Sequence, residues 1–361
     1  MESFNSMSSD LKKRGTIDYN YDIICYSIIG KKNAFERKIL MIEKYEQLSF
    51  VVPEQNDNKL IQKKQQEQLK PYDFSRILPA DAGFEEVHND TSMAILGDTL
   101  KIMRKMNSHS VNLIFADAPY NIGKNFGNNS DKWESVQAYI DWCKQWIDES
   151  MRLLTDDGTM YFMTATQHMP YLDIYASEKY NVLCRIVWTY DSSGVQSKKM
   201  YGSLYEPILM INKGGAYTFN YEDILVEAKT GAKRKLIDYR KNPPQPYNTK
   251  KVPGNVWEFS RVRFRMDEYE NHPTQKPEAL LERIIKASSN IGDVVFDPFS
   301  GSFTTSAVAV RLGRYAVGID MNEEYFEMGI RRTGIATEYK GKPLIKTKIR
   351  KTKARSKYVR E

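Results

Sequence analysis

The chain has 361 residues, 41% hydrophobic, 27% charged and 12% aromatic, with a formal net charge of +7. That is enough for one large domain or two modest ones. Three scattered cysteines, Cys25, Cys143 and Cys184, exclude a disulfide framework and a thiolate zinc site, four histidines without ligand spacing offer no metal centre, and no run of about 18 apolar residues provides a membrane span.

The opening MESFNSMSSDLKKRG lacks the apolar stretch of a signal peptide, so a cytoplasmic protein is expected. Residues 1–52 alternate polar stretches with an apolar group at 23–29. A helix is then predicted over 33–48, with Phe35, Ile39, Leu40 and Ile42 near one side. The Gln- and Lys-rich EQNDNKLIQKKQQEQLK at 54–70 reads as a linker. The expected organisation is therefore an accessory segment plus linker over 1–75, a main domain over 76–340 and a basic tail over 341–361. That tail holds nine Lys or Arg and one acid within 342–361, leaving the rest of the chain near neutral. A mobile arm of this kind suits contact with phosphate.

From about residue 92 short apolar runs recur, each followed by turn residues and then a helical period. Strands are predicted at 93–96, 111–115, 159–163, 183–188, 208–211, 294–296 and 315–319, and helices at 133–154, 278–287 and 304–312. Such alternation argues for an α/β sheet with helices on both faces, and ligands in such sheets sit at the carboxyl ends of strands. Between roughly 192 and 270 the alternation lapses into a loop-rich insertion that mixes basic and aromatic residues. Lys198, Lys199, Arg240, Lys250, Arg261 and Arg263 are its candidate contacts to a nucleic acid.

The stretch DVVFDPFSGSFTTSAVAVRLGRYAVGID, 293–320, has the layout of a βαβ nucleoside site. Gly301 permits a tight turn and close approach of backbone to a ligand. Asp320, at the end of the second strand, is placed to accept hydrogen bonds from ribose hydroxyls. No GxGxxG is present to make room for a pyrophosphate, and Asp297 at the first strand end would repel one while welcoming an ammonium. A ligand with a ribose, a cationic amino-acid part and no phosphate fits: S-adenosylmethionine.

Asp117-Ala118-Pro119-Tyr120 follows another predicted strand and so falls at the same end of the sheet. Methyl transfer to an exocyclic amino nitrogen must overcome delocalisation of its lone pair into the ring. Acceptors on both amino protons do this. Asp117 supplies one, and the carbonyl of residue 118 can supply the other. Pro119 stiffens the turn, and Tyr120 can stack on a base swung out of the duplex. Alignment and electrostatics then carry most of the catalysis, with no metal required.

These residues, in this order, resemble the β-class DNA amino-methyltransferases, in which an Asp-Pro-Pro-Tyr motif precedes the cofactor motif. The resemblance covers about residues 92–335. It takes in His272-Pro273-Thr274-Gln275-Lys276-Pro277, similar to the segment that closes over the cofactor's methionine part, and Gly97-Asp98, similar to the acid near its adenine. It extends into YDSSGVQSKKMYGSLYEPILM and RKNPPQPYN, which points to the stand-alone bacterial adenine-N6 enzymes acting on short palindromes such as ATGCAT. The resemblance implies a circularly permuted, Rossmann-like mixed α/β sheet with a target-recognition insertion over 192–270. It implies S-adenosylmethionine as cofactor, held by Asp98, Asp297, Phe299, Gly301, Ser302, Thr304, Asp320 and Lys276, and double-stranded DNA as partner. Asp rather than Ser at 117 favours adenine N6 over cytosine N4. Two departures stand out: Ala118 replaces the first proline, and Phe303 stands where glycine is common. The competing readings are a DNA-binding protein of this fold with catalysis impaired through Ala118, and a cytosine-N4 enzyme. Homodimerisation and a restriction endonuclease partner are left open.

Overall fold

The computed structural model describes residues 69–124, 131–191, 199–229 and 236–346, all within one compact unit, Gln62–Glu361. The helix predicted over 33–48, nearly all of the linker, Lys198 and residues 347–361 of the basic tail lie outside the described residues.

Nine strands form one sheet: β1 (Glu85–His88), β2 (Ser92–Leu96), β3 (Val111–Asp117), β4 (Leu154–Met163), β5 (Asn181–Thr189), β6 (Tyr205–Asn212), β7 (Val256–Glu258), β8 (Val294–Asp297) and β9 (Tyr315–Asp320). Their spatial order is β1-β2-β9-β8-β3-β4-β6-β5-β7. The five strands β2, β9, β8, β3 and β4 run parallel, while β1 and β6 run against their neighbours. Among the described residues six helices accompany them: α1 (Thr99–Met103), α2 (Val136–Leu153), α3 (Met169–Lys179), α4 (Glu278–Ser288), α5 (Thr304–Arg311) and α6 (Glu323–Arg332).

Strand alternation sorts the core into two layers. Ile114, Ala116, Phe162, Phe296 and Val317 point to the face covered by α1, α2 and α3. Leu113, Phe115, Tyr161, Val295 and Ala316 point to the face covered by α4 and α5. Because β3 is covered on both sides, its apolar run is continuous rather than alternating. On α2 the buried residues Tyr139, Ile140, Cys143, Trp146, Ile147 and Met151 recur at helical spacing. Each large side chain so buried contributes about 1.5–3 kcal/mol.

The topology creates the site. From β8 the chain crosses through α5 to β9 on one side. From β3 it crosses through α2 to β4 on the other. The two adjacent strands β8 and β3 therefore send their following loops apart, which opens a crevice at their carboxyl ends.

Several predicted bounds move for local reasons. Helix α2 begins after Ser135, not at 133, because the Ser135 hydroxyl caps it by accepting the Ala138 N–H. The stretch 192–270 is not one insertion: β6 and β7 inside it are strands of the central sheet. Between them, 213–255 holds a short 3-10 turn and two small ribbons, Val226–Glu227 with Lys250–Lys251 and Ile237–Asp238 with Gln245–Pro246. Helix α6, which the periodicity reading leaves unassigned, is capped by Asn322, whose side chain accepts the N–H groups of Glu324 and Tyr325.

Candidate active site

Asp117, Asp297 and Asp320 are the last residues of β3, β8 and β9. They open into a single cavity of about 420 Å³. Every residue predicted for catalysis or cofactor binding lines it: Asp117, Ala118, Pro119 and Tyr120 at one end, and Asp98, Asp297, Phe299, Gly301, Ser302, Thr304, Asp320 and Lys276 around the rest.

At the β8–β9 end the carboxylates are fixed by backbone. Asp320 accepts the Gly301 N–H at 2.8 Å and the Asn322 N–H at 2.8 Å. Asp297 accepts the Phe299 N–H at 3.0 Å and the Thr305 hydroxyl at 2.6 Å. Burial pushes both carboxyls up to about 7, against the lowering effect of those hydrogen bonds, and the Asp117 and Asp320 charges add to the rise of Asp297. Asp98 caps α1 by accepting the Lys101 N–H. Gly301 has φ +49°, and a Cβ there would lie 2.8 Å from the His272 ring. The backbone is thus drawn close to the cavity, and among the described residues neither buried acid forms an ion pair. These residues fit a cationic, hydroxyl-bearing ligand such as the nucleoside-amino acid read from the sequence.

Phe303 takes the left-handed conformation, φ +54°. Its ring is fully buried in the space left by two glycines: a Cβ on Gly318 or Gly329 would come within about 2.6 Å of it. The departure from glycine in this loop is therefore matched by absent side chains opposite.

The β3 end is a closed ring of polar groups. Asp117 Oδ2 lies 2.6 Å from Lys276 Nζ, and Oδ1 accepts from the Tyr120 hydroxyl at 2.8 Å. The same hydroxyl is 2.8 Å from Glu206 Oε2, which is 3.5 Å from Lys276 Nζ. Burial raises the Asp117 carboxyl, Lys276 pulls it back and Glu206 adds to the rise. Burial lowers the Lys276 ammonium, but Asp117 and Glu206 outweigh it and hold it above its ordinary value. Lys276, expected beside the cofactor, thus has its charge at the chemistry end. The polar turn around it explains this: Gln275 accepts the Glu270 N–H and donates to the Glu268 carbonyl, which fixes where residue 276 enters the cavity.

Glu206 escaped the sequence reading. It sits at the start of β6, and because β6 runs against β4 its amino end lies at the carboxyl ends of the parallel strands. The signal was an acid at the edge of the apolar run LYEPILM.

The loop after β3 is held from below. The Tyr139 hydroxyl lies 2.9 Å from the Pro119 carbonyl and 2.7 Å from the Thr164 hydroxyl. Asn121 accepts the Trp133 N–H, and Asp131 accepts the Ile122 N–H. Ala118 is buried in the core layer that also holds Tyr139 and Trp146. Of the nucleic-acid candidates, Arg261 is exposed at the cavity mouth, its guanidinium 4.7 Å from the Tyr190 ring centre. Arg263 donates to the Asp191 carbonyl, Arg240 forms an ion pair with Asp238, Lys250 lies on a surface ribbon opposite Glu227, and Lys199 is exposed.

A cavity with anchored acids at one strand end and an Asp-X-Pro-Tyr turn at the next can hold a cationic donor against a flat acceptor. Residues 111–331 match the family described as DNA methylase, and the chain belongs to that family. It is 58% identical over 265 residues to DNA adenine methyltransferase YhdJ of Escherichia coli (strain K12), covering 73% of this chain and 90% of that protein. It is 35% identical over 251 residues to the type II methyltransferase M.HpaI of Haemophilus parainfluenzae, covering 68% and 75%. Among solved structures, the cytosine-N4-specific PvuII DNA methyltransferase shares the fold, with a TM-score of 0.53 at 17% identity over 69% of this chain and 90% of that one.

Proposed function

We propose that this DNA methyltransferase methylates the N6 amino group of an adenine turned out of double-stranded DNA, using S-adenosylmethionine. One observation carries the reading: a carboxylate, Asp117, faces the acceptor end of the cavity whose other end holds Asp297 and Asp320. The adenine specificity named for the Escherichia coli relative supports it.

The cofactor supplies a methyl group on a positively charged sulfur. Asp297 and Asp320 bind its cationic and hydroxyl parts, and the Gly301 turn brings the backbone against it. Asp117 and the Ala118 carbonyl accept the two amino protons, which concentrates electron density on nitrogen and aims its lone pair into the cavity. On accepting the methyl group the amino nitrogen would give up one proton, and Asp117 would be an acceptor for it. Tyr120 stacks on the extruded base. At the cavity mouth, Arg261 and its basic neighbours meet DNA phosphates and base edges. No helix among the described residues is long and apolar enough to cross a membrane.

The test is mass spectrometry of nucleosides from DNA of a methylation-free host after incubation with the protein and S-adenosylmethionine. N6-methyladenine is expected. N4-methylcytosine, or no methylated base while cofactor still binds, would overturn the reading.

A further inference from the structure

Both oxygens of Asp117 are occupied by the protein itself: Lys276 holds one and Tyr120 the other. If Asp117 receives the target amino group, as the function above requires, the amino proton competes with these donors for the carboxylate lone pairs, and an oxygen that a donor has left accepts it more strongly. Breaking a buried ion pair is costly when it strands a charge. Glu206 removes that problem. Its Oε2 already lies 2.8 Å from the Tyr120 hydroxyl and 3.5 Å from the Lys276 ammonium. Tyr120 has one hydroxyl hydrogen and can give it to Asp117 or to Glu206, not to both. It can therefore change acceptor by rotating the O–H bond, with its ring still in place to stack. Lys276 needs only a small shift to close on Glu206.

We infer that Glu206 is a positioning residue that takes Lys276 and the Tyr120 hydroxyl over from Asp117 when the target base enters. The site alternates between two arrangements with the same buried charges. In one, Asp117 is capped. In the other, Asp117 faces the base and Glu206 holds both donors. Without a charge at 206, Lys276 stays on Asp117 and competes with the base.

The titratable groups that share the cavity with Asp117 come from several elements: Tyr120 and Lys124 from the loop after β3, Glu206 from β6, Lys276 and His272 from the segment before α4, Asp297 from β8, and Arg261 from the stretch after β7. Lys276 pulls the Asp117 carboxyl down within this set, so its removal leaves burial and the Glu206 charge to raise it.

The test compares Glu206→Gln, Lys276→Met and the double variant, with tritiated S-adenosylmethionine and genomic DNA from a methylation-free host. Glu206→Gln is expected to lower kcat at least tenfold, with KM for DNA within about threefold and cofactor Kd within twofold. Adding Lys276→Met removes the competing donor and recovers at least threefold of that loss at pH 9, the alkaline side being favoured because the Asp117 carboxyl is raised further without its ammonium partner. A Glu206→Gln rate within twofold of the unmodified protein overturns the inference, and so does a double variant no faster than the single one at pH 9. Should Glu206→Gln lose cofactor binding, Lys276→Met alone decides. The acidic limb of its rate profile is expected to lie at higher pH than that of the unmodified protein, and an unshifted limb overturns the exchange. If the unmodified protein makes no N6-methyladenine, the proposed function itself has failed, an outcome separate from these.

Discussion

Phe303 shows how one residue can break a local rule and be kept. A non-glycine residue in the left-handed region costs about 1 kcal/mol. The fully buried ring repays it by filling the gap over Gly318 and Gly329. Emptying such a site costs about 3–5 kcal/mol for a phenylalanine. Phe303→Gly should therefore destabilise the protein by about 2–4 kcal/mol, although glycine suits the backbone better. Urea unfolding measures this, and a variant as stable as the original would show that the ring fills nothing. The change should leave the acids of the cavity in place, because Asp320 is held by the Gly301 and Asn322 N–H groups rather than by the ring.

At the scale of the element, the loop after β3 raises the question of whether alanine at 118 disables the enzyme. A proline there would restrict φ, worth roughly 0.4–1 kcal/mol of unfolded-chain entropy. Yet the loop is already constrained from three directions. Pro119 biases residue 118 towards extended backbone, Tyr139 reaches the Pro119 carbonyl, and Asn121 and Asp131 tie the following turn. Passed wholly into the barrier, the missing constraint amounts to about a two- to fivefold rate difference. Ala118→Pro should change kcat/KM by no more than that. A gain above about a hundredfold in steady-state assays would mean that alanine is the lesion and that this chain is chiefly a DNA-binding protein. What was legible in sequence follows the same division. Asp117, Asp297 and Asp320 were readable because each closes an apolar strand, and strand ends are local. Glu206 and the placement of the Lys276 charge were not. Glu206 depends on β6 running backwards between β4 and β5, a pairing between residues far apart in the chain, and the Lys276 charge on the turn that Gln275 holds. Helix α6 was missed although Asn322-Glu323-Glu324 is a plain capping signal, because its apolar residues, Tyr325, Phe326 and Ile330, are too few to set a period.

For the molecule as a whole, the two acids proposed to hold the cofactor couple ligand, proton and fold. In the ligand-free protein burial holds Asp297 and Asp320 near 7, whereas in the unfolded chain each titrates near 3.9. Between those values the native state binds protons that the unfolded state has lost, so these two groups make the free protein less stable as pH rises through that window. A cationic ligand reverses the preference, since it favours the ionised carboxylates. Cofactor affinity should then fall on acidification. If one carboxyl near 7 must be ionised, Kd should weaken about tenfold from pH 8 to pH 6, and up to about a hundredfold if both must be. Calorimetric titration of S-adenosylmethionine across that range tests this directly. The same linkage requires the thermal stabilisation given by the cofactor to widen as pH rises. An affinity independent of pH would place the cation elsewhere than beside Asp297 and Asp320. A weakening that persists in Asp297→Asn but vanishes in Asp320→Asn would assign the proton to the β9 end alone.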